Sequence, residues 1–123
     1  MNVAVVIPSY NEEAYIEACV MSVVNNVYDK GELEIYVVDG QSDDRTRSIV
    51  NGIIDKHENV HLIDNPKKVT PVALNLGLKT STADVKIILG AHSVVANDFI
   101  LANVQVLQDY PEAGCAGGVI NNV

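Results

Sequence analysis

Three short polar clusters interrupt an apolar sequence, each just after a run of β-branched residues: Ser9-Tyr-Asn-Glu12, Asp39-Gly-Gln-Ser-Asp-Asp-Arg-Thr46 and Gly90-Ala-His-Ser93. Their residue types suit recognition. The Asp39 carboxylate can accept hydrogen bonds from a base N–H or a ribose hydroxyl, and Gly40 lets another group approach the backbone closely. The same carboxylate can equally cap the loop that follows it. Tyr10 can stack on a flat ring, or pack as a half-buried aromatic at a strand end. A lone histidine such as His92 at a strand end is often simply hydrogen-bonded. No G-x-G-x-x-G follows the first apolar run, and no G-x-x-x-x-G-K-[ST] or G-x-S-x-G occurs. Dinucleotide, P-loop and serine-hydrolase chemistry therefore lose their main support.

The elements that must position these clusters alternate. Val3–Ile7 reads as a buried strand that Pro8 stops, because proline cannot extend a ladder. Ile16, Cys19, Val20, Val23, Val24 and Val27 lie at helical spacing between Glu12 and about Asn26. After an Asp29-Lys-Gly31 turn, Glu34–Val38 is a second strand. Ser42-Asp43-Asp44 then opens a helix carrying Ile49, Val50, Ile53 and Ile54, with acids at its positive end. Val60–Ile63 is a third strand, and Thr70 to about Lys79 is a short helix with Pro71 in its first turn. Val85–Leu89 is a fourth strand, Asn97 to about Asp109 a helix, and Cys115–Ile120 a fifth strand after a turn at Pro111 to Gly114. Such alternation predicts an α/β fold, a mostly parallel central sheet with helices on both faces. The polar clusters then fall at the carboxyl ends of strands, where open α/β sheets bind ligands.

The 123 residues suit one domain, with 48% apolar residues to build its core. Sixteen acidic against eight basic residues, a net charge of −8, argue against a nucleic-acid partner or an anionic membrane surface. They leave room for a phosphate ligand held by local amides, one cation or a metal. Cys19 and Cys115 sit in apolar patterns without metal-ligand spacing and are expected to be buried free thiols, consistent with a reducing compartment. No apolar run approaches the roughly 20 residues of a membrane span. A cytoplasmic location is expected.

Val6-Ile-Pro-Ser-Tyr-Asn-Glu-Glu13 together with Val37-Val-Asp-Gly-Gln-Ser-Asp-Asp-Arg-Thr46 resembles the N-terminal half of family 2 glycosyltransferases. Asn65-Pro66, Ala73-Leu-Asn-Leu-Gly77 and Ala83-Asp-Val-Lys-Ile-Ile-Leu-Gly-Ala-His92 are similar to the succinoglycan (exopolysaccharide) branch. The resemblance covers essentially the whole chain, with its motifs in order. It implies the Rossmann-like, nucleotide-binding half of the GT-A fold, residues 1–123 forming the nucleotide-sugar domain. It also implies an inverting transfer from a nucleotide-diphosphate sugar. Carried over, Pro8, Tyr10 and Glu12 would border base and ribose, and Asp39 would bond the base, favouring uracil and hence UDP. Asp43 would order the loop after the second strand, and Asn75 would lie near the nucleotide pocket. Lys67 and Lys68 read as a solvated basic pair, with the diphosphate as their alternative partner.

The family carries Asp-x-Asp, or Asp-Ala-His in the branch named, after the fourth strand; this chain has Gly90-Ala91-His92. The missing acid removes a ribose contact and weakens a site for divalent metal, Mn²⁺ or Mg²⁺, leaving His92 as the metal-side residue or a phosphate donor. An inverting transfer also needs a general base. In the family that carboxylate lies in the acceptor-binding half, so no catalytic residue is assigned up to Val123; Glu112 has no motif around it. The expected function is sugar transfer to a saccharide or lipid-linked acceptor in bacterial polysaccharide synthesis, at the inner face of the membrane, with this chain alone inactive. The alternative is a non-catalytic nucleotide-sugar-binding or assembly module of the same fold. An unrelated α/β nucleotide-binding domain is a third reading. An uncovered sheet edge near Val119-Ile120 would favour self-association into a homo-oligomer.

Overall fold

The computed structural model describes residues 1–66, 83–109 and 120–122, the last three by backbone only. The expected helix from Thr70, with Asn75, Lys67 and Lys68, lies outside the described residues. So do the Pro111 to Gly114 turn, Glu112 and Cys115.

Four parallel strands form the central sheet in the order β3-β2-β1-β4: β1 (Val3–Ser9), β2 (Leu33–Asp39), β3 (Val60–Asp64) and β4 (Val85–Ile88). β1 is central, so both of its faces are apolar and Val3 to Ile7 are fully buried. Its alternate residues Val3, Val5 and Ile7 join Ile35, Val37 and Ile87 of the neighbouring strands in the main core. Helices α1 (Ile16–Val24), α2 (Thr46–Ile54) and α3 (Phe99–Asp109) contribute to that core through Cys19 and Val20, Val50 and Ile53, and Ile100 and Val104. Each fully buried Val or Ile contributes about 1.5–3 kcal/mol against exposure. The opposite face holds a second cluster of Val6 and Val38, with Ile63 against it.

The structure corrects several boundaries. β1 does not stop at Pro8 but runs to Ser9, and Pro8 pairs in register with Val38 of β2. In a parallel ladder, successive residues bond alternately to the strand on either side. Ser9 accepts from Gly40 N on the β2 side and Val6 accepts from Leu89 N on the β4 side, so the absent N–H of Pro8 faces β4. Proline ends the β1–β4 ladder, not the strand. The β1–β4 register ends at Val6 and Ile88, and the strand order reverses between these two strands, where open α/β sheets form their ligand crevice.

α1 starts at Ile16, not Glu12, because Asn11 takes φ 50° and a turn closed by Tyr15 N to Glu12 O (3.0 Å) precedes the helix. α2 starts at Thr46, so Asp43 and Asp44 lie before the helix and not in its first turn. The Asp44 carboxylate takes the Thr46 N–H (2.9 Å), a local bond that competes with helix. Ser93, read as part of a polar cluster, belongs to a strand the sequence did not disclose, β5 (Ser93–Val95). The strand expected at Cys115–Ile120 is described only as β6 (Ile120–Asn122), and it pairs antiparallel with β5 in a separate two-stranded sheet. Ile120 therefore has Val95 as its ladder partner on one side.

Candidate functional site

Asp39, the last residue of β2, is fully buried and lies in register with Ser9 at the end of β1. Its Oδ1 accepts from the hydroxyls of Ser9 (3.0 Å) and Ser42 (2.5 Å), and its Oδ2 from the Ser42 amide (2.8 Å). Arg47 Nη1 lies 3.6 Å from the same Oδ2. A carboxylate offers about four acceptor positions, so these three hydrogen bonds leave one, on the side of Arg47. Asp39 thus does cap its own loop, and it retains an acceptor position.

That loop is folded against the one after β1. Asn11 N donates to Ser42 Oγ (2.8 Å) and Asp43 N to Asn11 Oδ1 (3.0 Å). Glu12 N donates to Thr46 Oγ1 (2.8 Å), Glu13 N to Asp44 Oδ2 (3.2 Å), and Arg45 N to Glu13 Oε2 (3.2 Å). Each loop turns on a left-handed residue, Asn11 (φ 50°) and Gln41 (φ 60°); asparagine tolerates this well and glutamine less so. Gly40 itself does not take a positive φ; the left-handed turn falls one residue later, at Gln41. The loop is ordered by the side chains of Ser42, Asp44 and Thr46, while Asp43 contributes its amide and stays exposed. Burial pushes the Asp44 carboxyl up, but the Thr46 hydroxyl and the Thr46 and Glu13 amides together hold it below its ordinary value. On the outer side, Arg47 Nη1 bonds Asp64 Oδ1 at 2.8 Å and holds that carboxyl below the ordinary range. Pro8 is half-buried, and the Tyr10 ring is 45% exposed at the crevice.

Across the crevice, Gly90 brings no side chain and His92 is half exposed. His92 does not stand alone. Its Nε2 lies 3.0 Å from Glu12 Oε2, and its ring stacks on Tyr15 with centroids 5.2 Å apart and planes at 29°. Two sequence-predicted residues, Glu12 and His92, are thereby brought together from loops on either side of the crevice. Tyr15, Ser42, Thr46 and Arg47 were not singled out beforehand. Ser42, Thr46 and Arg47 sit in or beside a motif already of interest, whereas no sequence signal links Tyr15 to His92.

Hard divalent ions prefer oxygen donors and imidazole suits borderline transition metals, so Glu12 Oε2 and His92 Nε2 form a mixed pair of donors. They provide two ligands, and no cluster of three or more His, Cys, Asp or Glu able to hold an ion occurs among the described residues. Two such donors do not by themselves make up a metal site. A groove of about 800 Å³ between α1 and α2, lined by Met21, Arg45, Ile49 and Lys56 among others, contains no crevice residue and is unrelated to this geometry.

Comparison with known proteins places the chain in a family. Residues 4–122 match the family model described as Glycosyl transferase family 2. A relative from Methanococcus voltae, a dolichyl N-acetyl-alpha-D-glucosaminyl phosphate 3-beta-D-2,3-diacetamido-2,3-dideoxy-beta-D-glucuronosyltransferase, is 34% identical over 98% of this chain and 40% of its own length. The chain thus spans about two fifths of the length of that relative. Among solved structures, a mannosyltransferase from Pyrobaculum calidifontis in complex with GDP-Man and Mn²⁺ superposes with a TM-score of 0.80 and 29% identity, over 88% of this chain and 32% of that one. S. aureus TarS 1–349 in complex with UDP-GlcNAc gives a TM-score of 0.78 at 22% identity, over 90% of this chain and 32% of that one, a likeness of fold. The fold is the α/β, Rossmann-like half of the GT-A type, and the chain belongs to glycosyl transferase family 2.

Proposed function

We propose that the crevice binds the nucleotide of a UDP-sugar and serves an inverting glycosyltransferase. The observation that carries this reading is Asp39. It is a buried carboxylate with three of its acceptor positions filled by Ser9 and Ser42 and one left over on the side of Arg47, while Tyr10 lies exposed just past the end of β1. Uracil presents an N3–H to such an acceptor, whereas cytosine presents a lone pair. Tyr10 would stack on the base, with Pro8 and Glu12 alongside base and ribose. Because Asp39 is wholly buried, binding displaces the Arg47 side chain or the Ser42 loop.

In the transfer step, an acceptor hydroxyl attacks the anomeric carbon in line. The bond from that carbon to the diphosphate oxygen breaks, the nucleotide diphosphate leaves with the electron pair, and the proton passes to a general base. No described residue is assigned as that base or as the surface for a saccharide or lipid-linked acceptor. A divalent ion, when bound, would offset charge building on the leaving diphosphate, with Glu12 and His92 as the described residues that hold it. Relatives and neighbours named for a dolichyl-phosphate acceptor, UDP-GlcNAc and GDP-Man support the general class. The setting would be surface polysaccharide synthesis at the cytoplasmic membrane face. Gly90 favours a second reading, a nucleotide-sugar-binding module without turnover.

Calorimetry on the folded chain tests the binding claim. UDP should bind, and CDP should bind at least about tenfold more weakly, because its N3 has no hydrogen for Asp39. No heat from UDP, with or without Mn²⁺, overturns it.

A further inference from the structure

We infer that the Ser9 hydroxyl decides which base the crevice accepts. By filling the second acceptor position of Asp39 Oδ1, it leaves the carboxylate able to take a single N–H, which admits uracil and rejects guanine. The inference rests on the nucleotide reading above and names what sets its base.

The two oxygens of a carboxylate offer about four acceptor positions. On Asp39, Oδ1 accepts from the hydroxyls of Ser9 (3.0 Å) and Ser42 (2.5 Å), so both of its positions are taken. Oδ2 accepts from the Ser42 amide (2.8 Å) and keeps one position, with Arg47 Nη1 3.6 Å away. Asp39 therefore accepts one further N–H, and only on Oδ2.

Uracil and guanine present the same two leading groups to such a site. Each has a ring N–H, N3 in uracil and N1 in guanine, beside a carbonyl oxygen. The N–H suits Oδ2 and the carbonyl suits the Arg47 guanidinium. The bases differ on the other side of that N–H. Uracil has a second carbonyl oxygen, which needs no acceptor. Guanine has an amino group, which needs Oδ1 to complete the two-bond fork a carboxylate makes with this edge. With Oδ1 saturated, the amino group is left unpaired in a buried place, a penalty of about tenfold in affinity or more.

Both hydroxyls are held where they are. Ser42 Oγ accepts from Asn11 N (2.8 Å). Ser9 is 8% exposed and lies in β1 opposite Asp39 in the ladder. Ser42 also anchors its loop, whereas among the described residues the Ser9 side chain bonds only Asp39. Ser9 is thus a positioning residue that acts through the carboxylate.

Inosine diphosphate isolates the decisive group, because its base is guanine without the amino group. Calorimetry of the full chain with UDP, inosine diphosphate and GDP holds the diphosphate constant. In the parent chain UDP should bind most tightly, and inosine diphosphate at least about tenfold more tightly than GDP. Ser9→Ala, which frees a position on Oδ1, should bring the ratio of inosine diphosphate to GDP affinity down to about one or below. Ser9→Thr, which keeps the hydroxyl, should retain the parent ratio. A general loosening of the site weakens all three nucleotides alike and leaves the ratio where it was, so a merely structural role for Ser9 does not imitate this result. Equal binding of inosine diphosphate and GDP to the parent chain overturns the inference with no variant needed. So does a ratio unchanged by Ser9→Ala or lost in Ser9→Thr. Failure of both purine nucleotides to bind where UDP does overturns it as well, since base size then excludes guanine. If UDP itself does not bind a folded sample, the nucleotide reading fails, and this inference falls with it.

Discussion

The two sides of the crevice are built on opposite plans. On the β1–β2 side, seven hydrogen bonds from Ser9, Asn11, Glu12, Asp43, Glu13 and Ser42 lock two loops around one buried carboxylate. On the β4 side, a glycine and a half-exposed histidine stand where side chains could be packed, and the main tie is the contact between His92 and Glu12. The first side spends its polar groups on shape, so its role in binding is inseparable from its role in folding. The second leaves its groups available, so its chemistry can change without disturbing the fold. A charged group that is already saturated discriminates between bases by what its last acceptor position accepts. One that is only paired can exchange its partner for a metal or a phosphate.

The contrast can be broken by mutation. Asp39→Ala should have the largest effect, a loss of about 3 kcal/mol in urea denaturation together with UDP binding, since it strands the hydroxyls of Ser9 and Ser42 and the Ser42 amide in a buried place. A loss under about 1 kcal/mol would show that the loops are not organised by this carboxylate.

Between the two sides lies Cys19, a buried free thiol whose Sγ donates to Gly90 O at 3.5 Å. Desolvation pushes it from an ordinary 9.0 up to about 12. The stability it confers is therefore complete below the unfolded value and lost as pH rises through that window to about 12. At pH 8, alkylation of Cys19 in the folded chain should be at least about a hundredfold slower than in urea, by peptide mapping. Equal rates would mean that the floor under Gly90 opens readily.

The smallest effect is expected from His92→Ala, within about 0.5 kcal/mol of the parent in the same urea experiment, because its pair with Glu12 is part-exposed. A larger loss would make the β4 side structural as well and erase the distinction.

The four parallel strands were legible as short Val- and Ile-rich runs of four to seven residues, most clearly in β1, which is buried on both faces. The positions of Asp39 and Tyr10 at strand ends followed from the same pattern. The helix starts were misplaced because Asn11 turns left-handed and Asp44 bonds Thr46, both local choices that periodicity does not register. β5 escaped notice since three residues are too few to alternate, and its partner lies far along the chain. The meeting of Glu12, Tyr15 and His92 was invisible for a different reason. It depends on which loops the strand order sets side by side, and that order is a property of the assembled sheet.

Pro8 gives the crevice an economy of its own. Two strands held apart by side chains alone would keep donors and acceptors that could re-pair, each unmade bond costing about 1 kcal/mol or needing water to satisfy it. At Pro8 the donor is missing from the covalent structure, so the zipper has a hard stop and no side-chain motion can close it. The mouth is open at rest. An arriving ligand has no backbone pairing to break there.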